Sequence, residues 1–168
     1  MDAMDAIMGR RSIRRYEDRP VEPEKIEQLL RAAMAAPSAG NQQSWRFVVV
    51  TDRGQLDLLS EATQYSGMLK GAQLAIVVCG DTTSQKYPED YWVEDTSAAM
   101  ENLLVAAHAI RLGACWLGYQ PRQDRTDRAR ETLTLPGGNA ALGLARVGYP
   151  TRTKSPAERD HQGFGPRR

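Results

Sequence analysis

Two kinds of segment alternate along the chain. In one kind, apolar residues recur every three or four positions, and the other kind is a short, unbroken apolar run. The helical spacing predicts five helices, of which the second begins near Pro23 and is stopped by Pro37. The other four helices are predicted at 2–10, 54–64, 94–112 and 122–133. Apolar residues cover more than one face of the fourth helix, so we expect it to be central and buried.

Four short apolar runs lie between the helical segments, and each predicts a strand. The runs are 47–50, 74–80, 114–119 and 142–150. The unbroken hydrophobicity of the first two predicts strands that are buried on both faces. Gly113, which follows the long helix, is predicted to cap its C-terminus. This order of elements predicts a three-layer α/β or α+β sandwich with a mostly buried sheet.

The length and charge of the chain limit the number of domains and the kinds of partner that we expect. A chain of 168 residues fits one domain with a single core, so we expect one domain over 1–168 with a polar, cationic tail from Thr151. The formal net charge of +1 argues against a nucleic-acid-binding protein. The long helix has more apolar surface than a four- or five-stranded sheet covers, which favours a homodimer.

Several common kinds of site are not indicated by the sequence. Cys79 and Cys115 lie in apolar runs without metal-ligand spacing, so we predict buried thiols and no metal site. No phosphate-binding glycine motif or GxSxG motif is present. His108 is interpreted as a packed or capping histidine. No run has the length of a membrane span or a signal sequence, which predicts a cytoplasmic protein without a membrane partner.

The stretch GRRSIRR near the start carries the first candidate chemistry. Four arginines bracket one hydroxyl, and guanidinium groups bind phosphate oxygens in bidentate geometry. The residues are Arg10, Arg11, Ser12, Arg14 and Arg15. The alternative is a solvated cationic helix end, which the helix dipole also favours.

The stretch PSAGNQQSW, residues 37–45, lies between the second helix and the first strand. Its small residues, amides and indole suit a surface on which a planar ligand could lie. The alternative is a simple connector in which Asn41 and Gln43 fix the backbone and Trp45 joins the core.

Two further candidates lie later in the chain. The strand that ends in Leu117-Gly118 leaves a backbone N–H with no side chain beside it, so a ring could approach closely; a bulge or turn is the alternative. The tail carries three cations, Arg152, Lys154 and Arg159, and a frayed terminus is the alternative there.

In this order, the candidates resemble the nitroreductase family of FMN-dependent oxidoreductases in its shorter form. The matching pieces are RRSIRRYEDRPV, IEQLLRAAMAAPSAGNQQSWRFVVV, LAIVVCGD, AAHAIRLGACWLGY and LARVGYP, from about Ile7 to Pro150. The first two are specific as a pair, whereas each alone is weak. The resemblance implies an α+β fold: a three-layer α/β/α sandwich, dimeric, with a central, mostly antiparallel sheet flanked by helices.

The resemblance implies an FMN site made by two subunits. In the family, the first motif binds the FMN phosphate and ribityl oxygens, and the Pro-Ser-x stretch of the other subunit lies against the flavin. The matching residues of the first motif are Arg10, Arg11, Ser12 and Arg14. The matching residues of the loop are Pro37, Ser38, Ala39 and Asn41, of which Asn41, with Gln43 and Trp45, resembles the scaffold of the loop.

The remaining implied contacts come from the third strand and the tail. The family's Leu-Gly pair sits at the flavin ring with a backbone N–H close to N5, which corresponds to Leu117 and Gly118. In the family, basic residues beyond the last strand bind the phosphate. The matching candidates in this chain are Lys154 and Arg159, and Arg152 is the alternative. Arg14 is the candidate cation for the anionic reduced flavin. No side-chain acid or base is required, so no catalytic residue is predicted.

The sequence departs from the family pattern at three places. Ser44 stands where the family commonly has proline before Trp, which affects the stiffness of the loop. The tail after Arg159 is short and weakly similar, which leaves the phosphate ligand open. Only residues 81–95 occupy the place of the extra helical segment that longer members carry, which predicts a more open pocket.

The resemblance implies an enzyme that uses NADPH or NADH to reduce nitroaromatics, quinones or similar flat electron acceptors by a ping-pong mechanism. The expected assembly is a homodimer with FMN at the subunit interface, over which the tail at 151–168 could extend. One alternative is a family member that does not use nicotinamide, such as a flavin-fragmenting or dehalogenating enzyme. Another is a flavin-binding protein with little turnover. The sequence leaves the physiological acceptor and the NADH or NADPH preference open.

Overall fold

The computed structural model describes residues 1–61, 71 and 73–155. The helices are α1 (Ala3–Gly9), α2 (Pro23–Met34), α3 (Arg53–Glu61), α4 (Trp92–Ala109) and α5 (Gln123–Leu133). The strands are β1 (Trp45–Val50), β2 (Leu74–Asp81), β3 (Gly113–Gly118) and β4 (Asn139–Gly148), and a short 3₁₀ turn covers Ala39–Asn41. Every helix and strand that the apolar pattern predicts is present among the described residues, with ends that differ from the prediction by a few residues. Residues 62–64 of the third predicted helix lie outside the described residues.

The four described strands form one antiparallel sheet with the order β1-β2-β4-β3. One apolar cluster joins α2 and α4 to one face of the sheet, and a second joins α3 and α5 to the other face. The expected α+β sandwich of three layers, with a central antiparallel sheet, is therefore confirmed.

The long helix α4 packs directly on the sheet and also contacts α1 and α2. Ala99, Met100, Leu103 and Ala107 are fully buried along it, so the predicted central position is confirmed. The longest described helix, α4, has 18 residues. None of the described helices combines the length and the apolar character that a membrane span needs.

Strand β1 is an outer strand of the described sheet, so the prediction that it is buried on both faces is wrong. Val49 is 39% exposed, and Arg46 is exposed. In contrast, Leu74 to Gly80 on β2 are all buried, because β2 lies between β1 and β4. A short apolar run alone does not distinguish an outer strand from an inner one.

Gly113 has a different role from the predicted helix cap. The helix α4 ends before it, and Arg111 adopts the left-handed backbone conformation, with φ of 66°. Gly113 instead begins β3, where a Cβ would lie 2.7 Å from Cγ2 of Ile13. The absence of a side chain therefore lets the N-terminal segment lie directly against β3.

The segment between α1 and α2 runs along the edge of the sheet. Ser12 forms a parallel bridge with Ala114, and Tyr16 forms an antiparallel bridge with Pro150. At its end, the Tyr149 hydroxyl donates to Glu22 Oε2 over 2.5 Å and accepts from Lys25 Nζ over 2.7 Å. These contacts fix the direction in which the cationic segment approaches β3.

The Glu22–Tyr149 contact predicts a stability change at acid pH. The pKa of Glu22 is lowered to about 2, from an ordinary value of 4.5, chiefly by the hydrogen bond from Tyr149 and further by Arg19 and Lys25. Because the folded-state pKa is the lower one, the ionised carboxylate stabilises the fold above about pH 4.5, and this contribution is lost as the pH falls towards 2. We therefore expect the stability advantage of the wild type over Glu22→Gln to shrink across this window.

Urea unfolding of both proteins at several pH values measures this advantage. Tyr149→Phe serves as the control, since it removes the largest contribution to the lowered pKa of Glu22 and should reduce the dependence on pH. An advantage of constant size between pH 6 and pH 3 would contradict the prediction.

Candidate functional site

A cleft of about 390 Å³ lies between the end of α1, the end of α4 and the start of the tail. Its apolar floor is formed by Ile13, Leu104, Leu112 and Ala114. Five cationic side chains line it, and no acidic side chain does so within the part of the chain that the structure describes. These cations are Arg10, Arg11, Arg111, Arg152 and Lys154. An apolar floor with a cationic rim suits a ligand that carries both an apolar body and an anionic group.

The tail meets the N-terminal motif at the wall of this cleft. Lys154 Nζ donates to the backbone oxygen of Ser12 over 2.8 Å, and Arg11 Nε donates to that of Ser155 over 2.9 Å. The hydroxyl of Ser12 has no hydrogen-bond partner among the described residues. The structure therefore brings two predicted cations and one predicted hydroxyl together, although they are more than 140 residues apart in sequence.

The potential in the cleft is positive. Burial lowers the pKa of His108, and the charges of Arg10 and Arg11 lower it further. Glu101 Oε1 lies 3.0 Å from Arg10 Nε in an ion pair, so Arg10 is partly neutralised. Arg11 and Lys154, by contrast, bond only to backbone oxygens in the described structure. These two residues are therefore the better candidates for binding an anion.

A second, smaller cleft of about 220 Å³ shares Lys154 with the first. It is lined by Arg14, Arg15 and Arg152 as well as by Ile13 and Lys154. Arg14 is exposed there and is not engaged in an ion pair with the described residues. Lys154 and Arg152 thus line both cationic clefts.

Strand β3 presents an open edge beyond the Ser12 bridge. The oxygen of Ala114 accepts from Ile13 N over 2.9 Å and therefore points away from β4. In an antiparallel strand, backbone groups of alternate residues point to the same side, so the N–H of Gly118 also points outward. A Cβ at Gly118 would meet nothing closer than 3.7 Å, the oxygen of Gln120. A planar group can therefore approach this N–H closely, whereas the side chain of Leu117 is buried in the core.

The loop at 37–45 lies at the opposite edge of the sheet. It precedes β1, and three strand spacings, ~14 Å, separate β1 from β3. Within one chain, the structure therefore does not bring Pro37, Ser38, Ala39 and Asn41 to the cationic cleft. The loop is internally bonded: Ser38 Oγ accepts from Gln43 N over 3.0 Å, and Asn41 Oδ1 accepts from Gln43 Nε2 over 2.9 Å. Trp45 is buried at the start of β1.

Sequence reasoning missed the residue that holds this loop. The carboxylate of Asp95, in the first turn of α4, accepts hydrogen bonds from the loop and is only 3% exposed. Its position four residues before Ala99 and eight before Leu103 puts it on the buried stripe of the helix. That spacing was available in the sequence and indicates a buried carboxylate.

A second missed residue is Arg146, a charged side chain on β4 that is only 2% exposed. Its guanidinium carbon lies 4.5 Å from the centroid of the Tyr16 ring. Burial lowers its pKa. Arg146 therefore supports the N-terminal segment from behind, through Tyr16. Arg159, predicted as a phosphate ligand, lies outside the described residues.

Comparison with known proteins now decides the family. A family model described as Nitroreductase family matches residues 7–65 and 54–149. This chain belongs to the nitroreductase family. A protein of Archaeoglobus fulgidus, provisionally named an NADH dehydrogenase/NAD(P)H nitroreductase, is 46% identical over 167 residues, which cover 99% of this chain and 95% of that protein.

Solved nitroreductase-family structures agree with this fold. A provisionally named NADH dehydrogenase/NAD(P)H nitroreductase of Bacteroides thetaiotaomicron superposes with a TM-score of 0.92 at 40% identity, over 97% of this chain and 95% of that one. A provisionally named nitroreductase of Desulfovibrio desulfuricans, solved in complex with FMN, superposes with a TM-score of 0.85 at 32% identity. The superposition covers 100% of this chain and 99% of that one. The resemblance drawn from the two sequence motifs is thus confirmed.

Proposed function

We propose that this nitroreductase-family protein is an FMN-dependent oxidoreductase that takes electrons from NADPH or NADH and reduces nitroaromatics, quinones or similar flat acceptors. One observation carries the proposal: Arg11, Lys154 and Ser12 converge at one end of β3, and the open N–H of Gly118 lies at the other end of the same edge. The complex of the Desulfovibrio desulfuricans relative with FMN supports the choice of cofactor.

The donor set at the edge of β3 fits FMN. A phosphate needs cationic and hydroxyl donors, which Arg11, Lys154 and Ser12 supply, and a planar ring needs a surface without side chains, which Gly118 supplies. The strand from Ala114, opposite Ser12, to Gly118 advances by four residue steps, or ~13 Å. Phosphate and ring would thus be held at separate points along one strand.

FMN held at this site would supply the capacity to take a hydride from the nicotinamide and to give electrons to the acceptor. The residues of this chain would bind and orient it. Arg14, exposed beside the second cleft, would supply positive charge that favours the anionic reduced cofactor. None of the described residues of the site is proposed as an acid or base. Donor and acceptor would occupy the same open face in turn, which gives ping-pong kinetics.

A homodimer would complete the site. The loop at 37–45 lies too far from Gly118 within one chain, so the copy that contacts the cofactor would come from a partner. The apolar side chains of Met4, Ile7 and Met8 are each more than half exposed on α1, as expected of a surface that another chain covers. Light scattering of the flavin-loaded protein tests this assembly, and a stable monomer that retains FMN would contradict it.

Anaerobic reduction tests the proposed function directly. We expect the purified, FMN-loaded chain to be yellow, and to lose its visible absorbance when NADPH or NADH is added without oxygen. Subsequent addition of a quinone or a nitroaromatic compound should restore the absorbance. A chain that cannot be reconstituted with FMN would overturn the proposal. A yellow chain that neither nucleotide bleaches would favour a member that does not use nicotinamide.

A further inference from the structure

We propose that Asp95 is a positioning residue: it holds the loop at 38–44 in the conformation that presents Pro37, Ser38 and Ala39 to the cofactor, and Ser44 strengthens that hold. The inference rests on the proposed function, in which this loop contacts FMN bound mainly by the partner subunit. It adds a residue on α4 that would act only through the loop and would not itself touch the cofactor.

Three hydrogen bonds join the Asp95 carboxylate to the loop. Oδ1 accepts from the backbone N of Ala39 over 2.8 Å. Oδ2 accepts from Gln42 Nε2 over 2.7 Å and from Ser44 Oγ over 2.9 Å. The three donors lie at the start, middle and end of the loop, so one carboxylate fixes its whole course.

The backbone of the loop needs such an external hold. Gly40, Asn41 and Gln43 all have positive φ, at 52°, 54° and 51°. This conformation costs little for glycine but is unfavourable for the other two residues. A loop with several such residues keeps its shape only when surrounding contacts determine it. The bonds to Asp95 are contacts of this kind.

The charge of Asp95 explains why the hold is strong. The side chain is 3% exposed, and none of the ion pairs among the described residues involves it. Its negative charge is therefore stabilised by the three loop donors and by its place in the first turn of α4. Hydrogen bonds to a buried charged group are stronger than neutral ones, and removal of the acceptor leaves the donors without partners.

A second segment holds the loop from the other side. Gln42 Oε1 accepts from Lys86 N over 3.1 Å, and Lys86 Nζ donates to the oxygen of Gly40 over 2.5 Å. A Cβ at Gly40 would lie 2.6 Å from the Tyr87 hydroxyl. The loop thus lies between α4 and the segment that follows β2, and Gln42 bonds to both.

Ser44 fixes the end of the loop, directly before β1 begins at Trp45. It is only 4% exposed, so its hydroxyl has exchanged water for the Asp95 carboxylate. A hydrogen bond from a buried hydroxyl to a charged acceptor stabilises the position of the residue that makes it.

FMN titrations of the full-length protein, stripped of flavin and followed by fluorescence quenching, test the inference. We expect Asp95→Ala to weaken FMN binding about tenfold, because all three hydrogen bonds to the loop are lost and part of their free energy contributes to the affinity. Ser44→Ala should weaken it about threefold, because a single donor is lost. Asp95→Asn keeps one acceptor oxygen for Ala39 N. Its affinity for FMN should therefore lie between those of wild type and Asp95→Ala.

The control is Glu94→Gln, which changes an exposed carboxylate one residue earlier on the same helix and should bind FMN as tightly as wild type. All titrations are run well below the unfolding midpoint of every variant, so that lost global stability does not lower the affinity. A folded Asp95→Ala protein that binds FMN as tightly as Glu94→Gln would overturn the inference. If the Asp95→Ala protein does not fold, a Ser44→Ala protein that binds FMN as tightly as wild type would overturn the inference. A wild-type chain that fails to bind FMN would overturn the proposed function and is recognised separately.

Discussion

Replacement of both Arg11 and Lys154 by Ala is expected to weaken FMN binding by about two to three orders of magnitude. Arg11 lies beside Ser12 and donates to the backbone oxygen of Ser155, while Lys154 comes from the tail and donates to that of Ser12. In the described structure, both cations bond only to backbone oxygens. Each is therefore available to a phosphate. A lost charge-assisted hydrogen bond costs about 1.5–3 kcal/mol, and two such losses combine to roughly 3–4 kcal/mol when they are only partly additive.

Titration of the stripped protein with FMN at low and high salt measures this effect. The affinity of the wild type should fall as salt is raised, because the cations are partly exposed, and that of the double variant should depend less on salt. The matched control is Arg31→Ala with Arg128→Ala, which removes two exposed cations from α2 and α5. Equal affinities of the two double variants would show that the cleft at Lys154 does not bind the phosphate.

Gly80→Ala is expected to destabilise the fold by about 3 kcal/mol, at the upper end of the usual cost of overpacking. A Cβ at Gly80 would lie 2.3 Å from Cε3 and 2.8 Å from Cδ2 of Trp92. Trp92 is buried at the start of α4, and β2 is an inner strand, so neither partner can move freely. Any displacement of Trp92 would also shift Asp95, one turn along the same helix.

Urea unfolding, with and without saturating FMN, checks this second prediction. The control is Gly137→Ala, since a Cβ there would meet nothing closer than 3.9 Å and the residue is exposed. Its stability should stay within about 0.5 kcal/mol of wild type. A Gly80→Ala protein as stable as Gly137→Ala would mean that Trp92 has space to move away from the sheet.

The described helices and strands could be predicted from the sequence because each depends on local pattern. The spacing of four between the apolar residues Leu29 and Ala33 is helical and predicts α2, and Pro37 predicts that the helix ends before the loop. The two errors have a common cause. The exposure of Val49 and the role of Gly113 depend on which element lies beside them, and strand order is not encoded in a short apolar run.

The candidate site was only partly predictable. Arg11, Ser12 and Gly118 could be proposed from the sequence because guanidinium, hydroxyl and glycine have chemistry that can be recognised in a motif. Asp95 was missed because a carboxylate near the start of a helix is ordinarily read as a favourable partner of the helix dipole. Its hydrogen bonds to Ala39, Gln42 and Ser44 cross more than 50 residues of sequence.

The sequence by itself determined the family, the helices and strands, and the residue types that a flavin site needs, since local spacing and motif chemistry suffice for these. Only the tertiary structure decided that Lys154 meets Ser12, that the N–H of Gly118 faces outward, and that PSAGNQQSW is held by Asp95 at the opposite edge of the sheet. The physical reason is that such contacts depend on strand order and helix packing, which bring distant residues together by burying apolar surface rather than by any local signal.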